Sequence, residues 1–300
     1  MPGPTLVTGA GGFAGRHLLA HLEDRGERVI GPSSAELDLR DAAAVRERVR
    51  EAAPERVYHL AALASVARSW QDPARTLADN QAMTLNLLEA VRLEAPGAQV
   101  VLVSSGELYG APRALPVDED APLAPENPYA VSKAAGDLLG GVYASAHGLA
   151  IVRARPFNHA GPGQSDDYVV GTLTRQIARA EAAGENSVLL RTGNPDSGRD
   201  FTDVRDVVRA YALLAGAAPG IYNVASGRTQ TVRGLIEALR ELTELDIRHE
   251  VDPERLRARD VPEICGSARR LEEATGWKPE ISLRQTLADT LAAWRAQDAA

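Results

Sequence analysis

The sequence is poor in cysteine, in aromatic residues and in long apolar segments. Of its 300 residues, Cys265 is the single cysteine, and aromatic residues make up 4%. An internal disulfide is therefore excluded, and a reducing, cytoplasmic location is expected. The longest apolar stretches, such as the one around residues 210–218, contain or adjoin charges and fall short of the roughly 20 residues that a membrane-spanning helix needs. The N-terminus lacks a basic segment followed by an apolar one, so neither a membrane segment nor a secretory signal is expected.

An excess of acidic residues limits the possible partners. The chain has 33 Lys and Arg against 41 Asp and Glu, a net charge of −8 at neutral pH. This balance argues against sequence-independent binding of nucleic acid through a basic surface, and an anionic ligand would need a local positive site. Nothing around Trp70 or Trp277 resembles an aromatic platform for single strands, so both are expected to pack within the protein. The remaining composition, 44% hydrophobic and 25% charged, is typical of a folded protein of one large or two ordinary domains.

Short strand-like segments alternate with helical segments in the first half of the chain. The expected strands are 6–8, 28–30, 56–60 and 99–103, and the expected helices between them are 13–22, 42–51 and 77–92. This alternation predicts an α/β fold with a doubly wound, Rossmann-like parallel sheet. After Pro156 the alternation loosens, and the segment 158–167, rich in Gly and Pro, is expected to be a long irregular loop.

A second, smaller α/β domain is expected beyond this loop. We assign residues 1–160 to a dinucleotide-binding domain, joined by parts of 199–225, and residues 161–300 to a substrate domain. Further helices are expected over 206–215 and 231–245.

A glycine-rich turn follows the first expected strand. Gly9, Gly12 and Gly15 lie between that strand and the first helix. Without Cβ atoms the turn can be sharp, and the N–H groups at the helix start can approach a pyrophosphate. A tight turn without a ligand is the alternative, but the position after the first strand favours a dinucleotide site.

The end of the second expected strand bears on the choice of cofactor. The segment 30–34 has no carboxylate where an NAD ribose would be held, so strict use of NAD is disfavoured. Ser33 and Ser34 could donate hydrogen bonds to a 2′-phosphate, or they could only form a turn. Asp38 is placed to accept from an adenine amino group, with helix capping or a solvated role as the alternatives. NADP(H) or NAD(H) is therefore expected.

Tyr129 and Lys133 lie four residues apart in a helix expected to begin at Asn127-Pro128. That spacing puts both on one helical face, so the ammonium can lie near the phenol and favour its ionised form. An exposed helix face is the alternative for this pair taken alone. Ser105 follows the buried strand 99–103 and can hydrogen-bond a substrate oxygen, or it can merely cap the strand.

Together, these motifs make the chain similar to the extended short-chain dehydrogenase/reductases, in their nucleotide-sugar branch. The resemblance rests on the glycine turn, on Ser105 and on Tyr129 with Lys133, and it extends over nearly the whole chain. The further segments that carry it are His59-Leu60-Ala61-Ala62, Asn80, Arg155-Pro156-Phe157-Asn158, Arg199-Asp200-Phe201 and Tyr222-Asn223-Val224-Ala225-Ser226-Gly227. Within the branch, segments 157–164 and 199–206 resemble those of GDP-6-deoxy-4-keto-mannose reductases. GDP-mannose 4,6-dehydratases are similar but usually longer.

The resemblance implies a role for each matched residue. Tyr129 would be the catalytic acid/base, Lys133 its partner and a ribose ligand, and Ser105 the group that polarises the C4 carbonyl of the sugar. The cofactor contacts expected with it are Gly9, Gly12, Phe13, Gly15, Ser33, Asp38, Leu39, Ala61, Ala62, Tyr129 and Lys133. The implied substrate contacts are Asn158, Arg199 and Arg257, with the two arginines on the diphosphate or the nucleoside and a solvated charge as the alternative for each. No metal site is expected.

Residues 106 and 107 bear on the reaction. dTDP-glucose 4,6-dehydratases have an Asp-Glu pair here, whereas this chain has Gly106-Glu107. Gly106 cannot protonate a leaving group, which disfavours dehydration by the dTDP-sugar route. Glu107 remains as a vestigial carboxylate, a substrate-hydroxyl ligand or a working base, in that order of preference.

The favoured hypothesis is an enzyme that uses NAD(P)H to reduce the C4 ketone of a nucleotide-bound 4-keto-6-deoxyhexose. GDP-6-deoxy-4-keto-mannose, reduced to GDP-rhamnose, is the favoured substrate. The alternatives are an NAD-dependent nucleotide-sugar 4-epimerase and a GDP-mannose 4,6-dehydratase, each with tightly bound cofactor. A catalytically silent scaffold is disfavoured because Ser105, Tyr129 and Lys133 are all present. Dimers through the helices of the cofactor domain are common in the family, so a homodimer is expected.

Overall fold

The computed structural model describes residues 3–256 and 261–298. The strands are β1 (Thr5–Thr8), β2 (Val29–Ile30), β3 (Arg56–His59), β4 (Gln99–Val103), β5 (Ala150–Pro156), β6 (Asn158–Ala160), β7 (Ser187–Thr192), β8 (Gly198–Asp203), β9 (Gly220–Val224), β10 (Thr229–Thr231), β11 (Asp246–Val251) and β12 (Glu263–Ile264). The helices are α1 (Phe13–Asp24), α2 (Ala42–Ala52), α3 (Val66–Gln71), α4 (Pro73–Glu94), α5 (Pro128–His147), α6 (Val169–Ala182), α7 (Val204–Leu214), α8 (Val232–Arg240), α9 (Arg269–Thr275) and α10 (Leu283–Asp298).

Six parallel strands form the central sheet, in the order β2-β1-β3-β4-β5-β9. The predicted doubly wound α/β architecture is therefore confirmed. The chain order reverses between β1 and β3, and open α/β sheets bind ligands outside the carboxyl ends of the strands at such a point. The last strand, β9, joins the sheet after a long excursion of the chain and pairs with β5.

Helices cover both faces of this sheet, because successive residues of a strand point to opposite sides. Val100 packs into a cluster with residues of α2, α4 and α5, whereas its neighbour Val101 packs with residues of α1 and α7. Both valines are fully buried. Burial on both faces explains why β4 has an almost continuous apolar sequence.

The second unit comprises β6, β7, β8, β10, β11 and β12 with α6, α8 and α10, and it departs further from the sequence expectations. The segment 158–167 was expected to be wholly irregular, yet it begins with the strand β6, which pairs with β8. Strand β8 also pairs with β10 and β12, and β7 and β11 form a separate parallel pair. The helix predicted over 231–245 ends at Arg240, because the chain turns there toward β11. Apolar side chains of α6, α8 and α10 form the core of this unit, and the domain boundary at residue 160 stays a prediction.

The two tryptophans expected to pack differ in their surroundings. Trp277 is 1% exposed, and its indole Nε1 donates to the main-chain oxygen of Asp206 at 3.0 Å, so this expectation is confirmed. Trp70 is 64% exposed, and the expectation is wrong for it. The short helix α3 turns its neighbour Ser69 toward the protein, which leaves the indole outside.

Across residues 3–256 and 261–298, no helix combines the length and the apolar character that crossing a membrane requires.

The turn after β1 depends on a very close approach of α1. The N–H of Gly12 donates to the carbonyl oxygen of Gly9 at 3.0 Å, and α1 begins at the next residue. A Cβ on Gly15 would lie 2.1 Å from that same carbonyl oxygen. No side chain fits this gap, so the helix can start against the turn only with glycine at position 15.

Gly15→Ala is expected to lower the free energy of unfolding by about 1–3 kcal/mol, because the added methyl group forces the turn and the helix apart. Urea denaturation measures this change. Gly11→Ala is the matched control, since a Cβ at position 11 would meet nothing within 4 Å. Equal stability of the two variants would contradict the close approach.

Candidate active site

The candidate site lies where β1, β3 and β4 end. A Cβ on Gly9 would lie 2.6 Å from the backbone nitrogen of Ala61, so the turns that follow β1 and β3 are in contact. Ala61 and Ala62 line a small cavity together with Lys133. The glycine turn, the two alanines and the lysine thus meet at one edge of the sheet.

The start of α1 fits the pyrophosphate of a dinucleotide. The residue before the helix is Gly12, so no capping side chain occupies the N–H groups of the first turn. These N–H groups and the helix dipole favour an anion. The missing Cβ atoms at Gly9 and Gly15 also let the backbone come close to such a ligand. The residues present therefore fit a dinucleotide cofactor.

Helix α5 positions Tyr129 and Lys133. The side chain of Asn127 accepts from a main-chain N–H in the first turn at 2.8 Å, and Pro128 is the first helical residue, as expected of a helix start. The ammonium of Lys133 donates to the carbonyl oxygen of Val103 at 2.5 Å. This contact joins the helix to the carboxyl end of β4.

Ser105 and Glu107 lie beside Tyr129. The side chain of Ser105 is hydrogen-bonded to that of Tyr129, and the carboxylate of Glu107 is close enough to influence the phenol. The Ser105 Oγ also accepts from the N–H of Glu107 at 3.1 Å. Asn127 Nδ2 donates to Glu107 Oε2 at 3.3 Å. Three of the predicted catalytic residues therefore form one cluster, and Lys133 lies one turn farther along α5.

The protein groups around Tyr129 keep its phenol protonated. Burial raises the pKa of Tyr129 above its usual value; the hydrogen bond with Ser105 lowers it, and nearby Glu107 and Tyr168 raise it. The spacing predicted that Lys133 would favour the ionised phenol, but the protein groups around Tyr129 favour its protonated form. The lysine ammonium is bonded instead to a carbonyl of β4. Tyr129 is therefore equipped to donate a proton.

Burial acts in the opposite direction on the bases near this cluster. Burial lowers the pKa of Lys133 to about 8, although the nearby carboxylate of Asp137 acts to raise it. His59 lies beneath the site, with its Nδ1 2.7 Å from the hydroxyl of Thr8 and its Nε2 3.3 Å from that of Thr84. Burial lowers the pKa of His59 to about 3, so its ring is neutral at pH 7.

The residues predicted for the adenosine end of the cofactor lie after β2. Ser33 is exposed, and its main-chain N–H donates to Glu36 at 2.8 Å. Asp38 is also exposed and accepts from Arg40 at 2.7 and 2.9 Å, and this guanidinium holds the pKa of Asp38 at about 2. The side chain of Leu39 is buried in the core. Sequence reasoning missed Arg40, which places a cation beside Asp38.

Phe13 connects the glycine turn to the second unit. Its ring stacks on that of His159, with centroids 5.9 Å apart and planes 4° from parallel. One turn farther along α1, His17 Nε2 lies 2.8 Å from the carbonyl oxygen of Pro162. The start of α1 is therefore packed against the loop that leads into the second unit.

Asn158 and Arg199 lie on adjacent strands. Asn158 begins β6 and is paired with Phe201 of β8, two residues beyond Arg199. Arg199 is only 9% exposed, and its Nη1 donates to the carbonyl oxygen of Val261 at 2.8 Å. Arg199 is thus a buried strand residue, not a solvated loop charge. Arg257 lies outside the described residues.

Two residues near the cluster escaped the sequence reasoning. Asp137 follows Lys133 by four residues, so the spacing that linked Lys133 to Tyr129 could also have identified it. Tyr168 precedes α6 and approaches Tyr129 only because the chain folds back, and no local pattern indicates this.

Gly106 leaves room for the ring of Phe157. A Cβ on Gly106 would lie 3.0 to 3.1 Å from three atoms of that ring. The ring is 5% exposed and stacks on Tyr109 with centroids 6.2 Å apart. A carboxylic acid at position 106 would therefore require Phe157 to move.

No group of three or more His, Cys, Asp or Glu that could hold a metal ion occurs in the described part of the chain.

Proteins of known activity are similar to this chain over almost its whole length. GDP-6-deoxy-D-mannose reductase of Pseudomonas aeruginosa is 40% identical over 297 residues, which cover 97% of this chain and 97% of that protein. UDP-glucose 4-epimerase of Mycolicibacterium smegmatis is 32% identical over 313 residues, with 97% and 98% coverage.

Solved structures and family models agree with these similarities. The structure of RMD from Pseudomonas aeruginosa complexed with NADPH matches with a TM-score of 0.90 at 38% identity, covering 98% of this chain and 99% of that one. The family model for GDP-mannose 4,6 dehydratase matches residues 32–290. Because this match spans most of the sequence, the chain belongs to the GDP-mannose 4,6-dehydratase family, within the extended short-chain dehydrogenase/reductases.

Proposed function

We propose that the protein reduces the C4 ketone of a nucleotide-bound 4-keto-6-deoxyhexose, converting GDP-6-deoxy-4-keto-mannose to GDP-rhamnose. The observation that carries this proposal is the cluster of Ser105, Tyr129 and Lys133 at the carboxyl end of β4. The 40% identity to a GDP-6-deoxy-D-mannose reductase supports the choice of sugar nucleotide. A cytoplasmic location suits the buried free thiol of Cys265.

The cofactor proposed is NADPH or NADH. The turn from Gly9 to Gly15 would hold its pyrophosphate, and Lys133 would hold the ribose. When bound, the nicotinamide supplies the hydride that adds to C4. The exposed Ser33 and the guanidinium of Arg40 suit a 2′-phosphate, and NADPH is named for the similar structure from Pseudomonas aeruginosa. NADPH is therefore the first cofactor to test.

Two side chains would act on the oxygen of the ketone. Tyr129, whose phenol is kept protonated by burial, donates the proton that this oxygen gains on reduction. Ser105 accepts a hydrogen bond from the main chain of Glu107, and its own O–H would donate to the same oxygen when the substrate is bound. That donor stabilises the negative charge that develops there as the ketone is reduced.

The sugar nucleotide would be held by the second unit. We assign Asn158, Arg199 and Arg257 to it, with the arginines on the diphosphate or the nucleoside. Asn158 and Arg199 lie on the paired strands β6 and β8, which fixes them relative to each other. Because Arg199 is buried, its attraction to a phosphate is screened less than that of a surface arginine.

A GDP-mannose 4,6-dehydratase is the second candidate. Glu107 lies beside Tyr129 and is held by Asn127, a suitable place for a base. Against this candidate, Gly106 has no acidic side chain and Phe157 occupies the adjoining space. Dehydration, like 4-epimerisation, returns the hydride within one cycle and leaves the cofactor concentration unchanged.

Wild-type protein mixed with NADPH and freshly prepared GDP-6-deoxy-4-keto-mannose is expected to consume the cofactor stoichiometrically, followed as loss of NADPH absorbance. Tyr129→Phe is expected to slow this reaction by about 100-fold or more, because it removes only the proton donor. NADPH fluorescence should show unchanged cofactor binding in the variant. A flat trace with wild-type protein that binds NADPH, or full activity of the variant, would overturn the assignment.

We also propose that two copies of the chain associate through α4 and α5. These helices expose apolar side chains at Leu85, Leu93, Val131, Leu138 and Val142. Leu138 and Val142 are 57% and 56% exposed and lie one helical turn apart, so they share a face. Exposed apolar side chains grouped on neighbouring helices are typical of a protein interface.

Light scattering after size-exclusion chromatography is expected to give a dimeric mass for the wild-type chain. The double variant Leu138→Glu with Val142→Glu is expected to be monomeric, because it places two charges in the apolar face. Val251→Glu, which also charges an exposed apolar position but in the second unit, serves as control and should stay dimeric. A dimeric double variant would refute this interface.

A further inference from the structure

Asp137 lies one helical turn beyond Lys133 on α5, and it has no role in the proposed reaction. Residues four apart occupy the same face of a helix, so the carboxylate and the ammonium face the same side. Lys133 and Asp137 also line the same small cavity between α4, α5 and the end of β4, with Thr84 and Ser104. The carboxylate is therefore the nearest charged neighbour of the lysine along its own helix.

The carboxylate of Asp137 is fully buried and rigidly held. Its two oxygens accept from Arg155 Nη2 at 2.7 Å and from Arg155 Nε at 2.9 Å, a bidentate arrangement. Arg153 Nη1 adds a longer contact of 3.3 Å. Burying a carboxylate is costly unless it is paired and hydrogen-bonded, and both conditions are met here.

Arg155 is fixed in turn by the segment that follows β4 and by β9. Its Nη1 donates to the hydroxyl of Tyr109 at 2.8 Å, and its guanidinium lies 5.2 Å from the centroid of that ring. The Tyr109 hydroxyl donates to Asn223 Oδ1 at 2.8 Å. Each member of this chain has a partner, so the position of Asp137 is set by several strands rather than by α5 alone.

The other ionisable groups that face Lys133 carry no negative charge at neutral pH. His59, from β3, is neutral because burial lowers its pKa to about 3. Tyr129, on α5 itself, is protonated because burial raises its pKa. From β5, Arg153 and Arg155 are bound to the carboxylate of Asp137.

Glu107 is the remaining carboxylate of the site. Its carboxylate influences Tyr129 and accepts a hydrogen bond from Asn127, which lies at the start of α5, six residues before Lys133. Among the residues that the structure describes, the carboxylate that acts on Lys133 is that of Asp137. Asp137 therefore opposes the effect of burial on the lysine.

We propose that Asp137 is a positioning residue for Lys133, which keeps the lysine in its ammonium form and directed at the carbonyl oxygen of Val103. This inference rests on the proposed function, in which the ammonium holds the cofactor ribose. The ion pair with Arg155 then has a second purpose beyond packing, because it fixes the carboxylate on which the charge of Lys133 depends.

The pH dependence of activity and of cofactor binding tests this proposal. In the wild type, kcat/KM and the affinity for NADPH should hold at pH 7 and fall as the pH rises through about 8, where Lys133 loses its proton. In Asp137→Asn, both curves should fall at a pH about one unit lower, since loss of an opposite charge favours the neutral lysine. One pH unit corresponds to about a tenfold weaker affinity on the alkaline side. Near pH 6 the variant and the wild type should agree.

A merely structural role gives a different result. Asp137→Asn would then lose activity and affinity by the same factor at every pH, and that outcome overturns the proposal. Asp206→Asn is the control, because Asp206 is a buried carboxylate of α7 that accepts from two main-chain N–H groups. It should reduce stability without moving the pH curve, whereas Asp137→Glu, which keeps the charge, should retain the wild-type curve.

A second variant tests the proposal in case Asp137→Asn does not fold. The double variant Asp137→Asn with Arg155→Gln replaces the buried Arg155–Asp137 ion pair by two amides and should show a shift in the same direction. It leaves Arg153 without its carboxylate, but that side chain is 20% exposed and can be solvated. In the wild type, a loss of NADPH affinity that begins below pH 7 as the pH rises would overturn the proposal. NADPH binding needs no sugar nucleotide, so failure of the sugar assignment, seen as binding without turnover, is distinguishable from failure of this inference.

Discussion

The ion pair between Arg155 and Asp137 joins the strand β5 to the helix that carries Tyr129 and Lys133. Both side chains are almost completely buried, and breaking such a pair by removing one partner costs about 3–5 kcal/mol. Through Tyr109 the pair reaches Asn223 of β9, whose main-chain N–H donates to Glu119 at 2.8 Å. Strands of the central sheet and the helix that packs on them are thus held in one arrangement by a polar network. Tyr129 of the candidate site is therefore placed by the same contacts that stabilise the sheet.

The choice between reduction and dehydration depends on packing as much as on the presence of an acid. The ring of Phe157 lies between two glycines, since a Cβ on Gly266 would come within 2.4 Å of it and a Cβ on Gly106 within 3.0 Å. A carboxylic acid at position 106 would therefore need a smaller residue at 157 or a displaced ring. The absence of an acid at position 106 and the placement of the Phe157 ring are therefore linked. Glu107, the next residue, is held in place by a hydrogen bond from the side chain of Asn127.

Local patterns in the sequence predicted the parts of the molecule that are themselves local. The glycine turn, the alternating elements of the central sheet and the spacing of Tyr129 and Lys133 depend on neighbouring residues, and the structure has them where expected. The strands of the second unit are short and pair across long sequence separations, so β6 was missed and the helix before β11 was made too long. The pKa of Tyr129 was expected to be lowered by Lys133, but burial raises it, and the lysine ammonium is bonded to a carbonyl of β4 instead. No spacing in the sequence reveals either fact. For Arg199, a solvated loop charge beside Gly198 was the alternative to a substrate contact, and strand pairing excludes that alternative because it buries the residue.

Strand β9 closes the central sheet only after the chain has passed through much of the second unit. As the chain is synthesised, β5 therefore has an unpaired edge until residues 220–224 have emerged, with its N–H and carbonyl groups open to solvent. Unpaired edges are templates for pairing with other chains, and partly synthesised proteins that expose them are prone to aggregate. The first unit cannot complete its sheet from its own continuous segment of sequence. Folding of the two units is thereby coupled, and the nascent chain depends on the later unit to protect the earlier one.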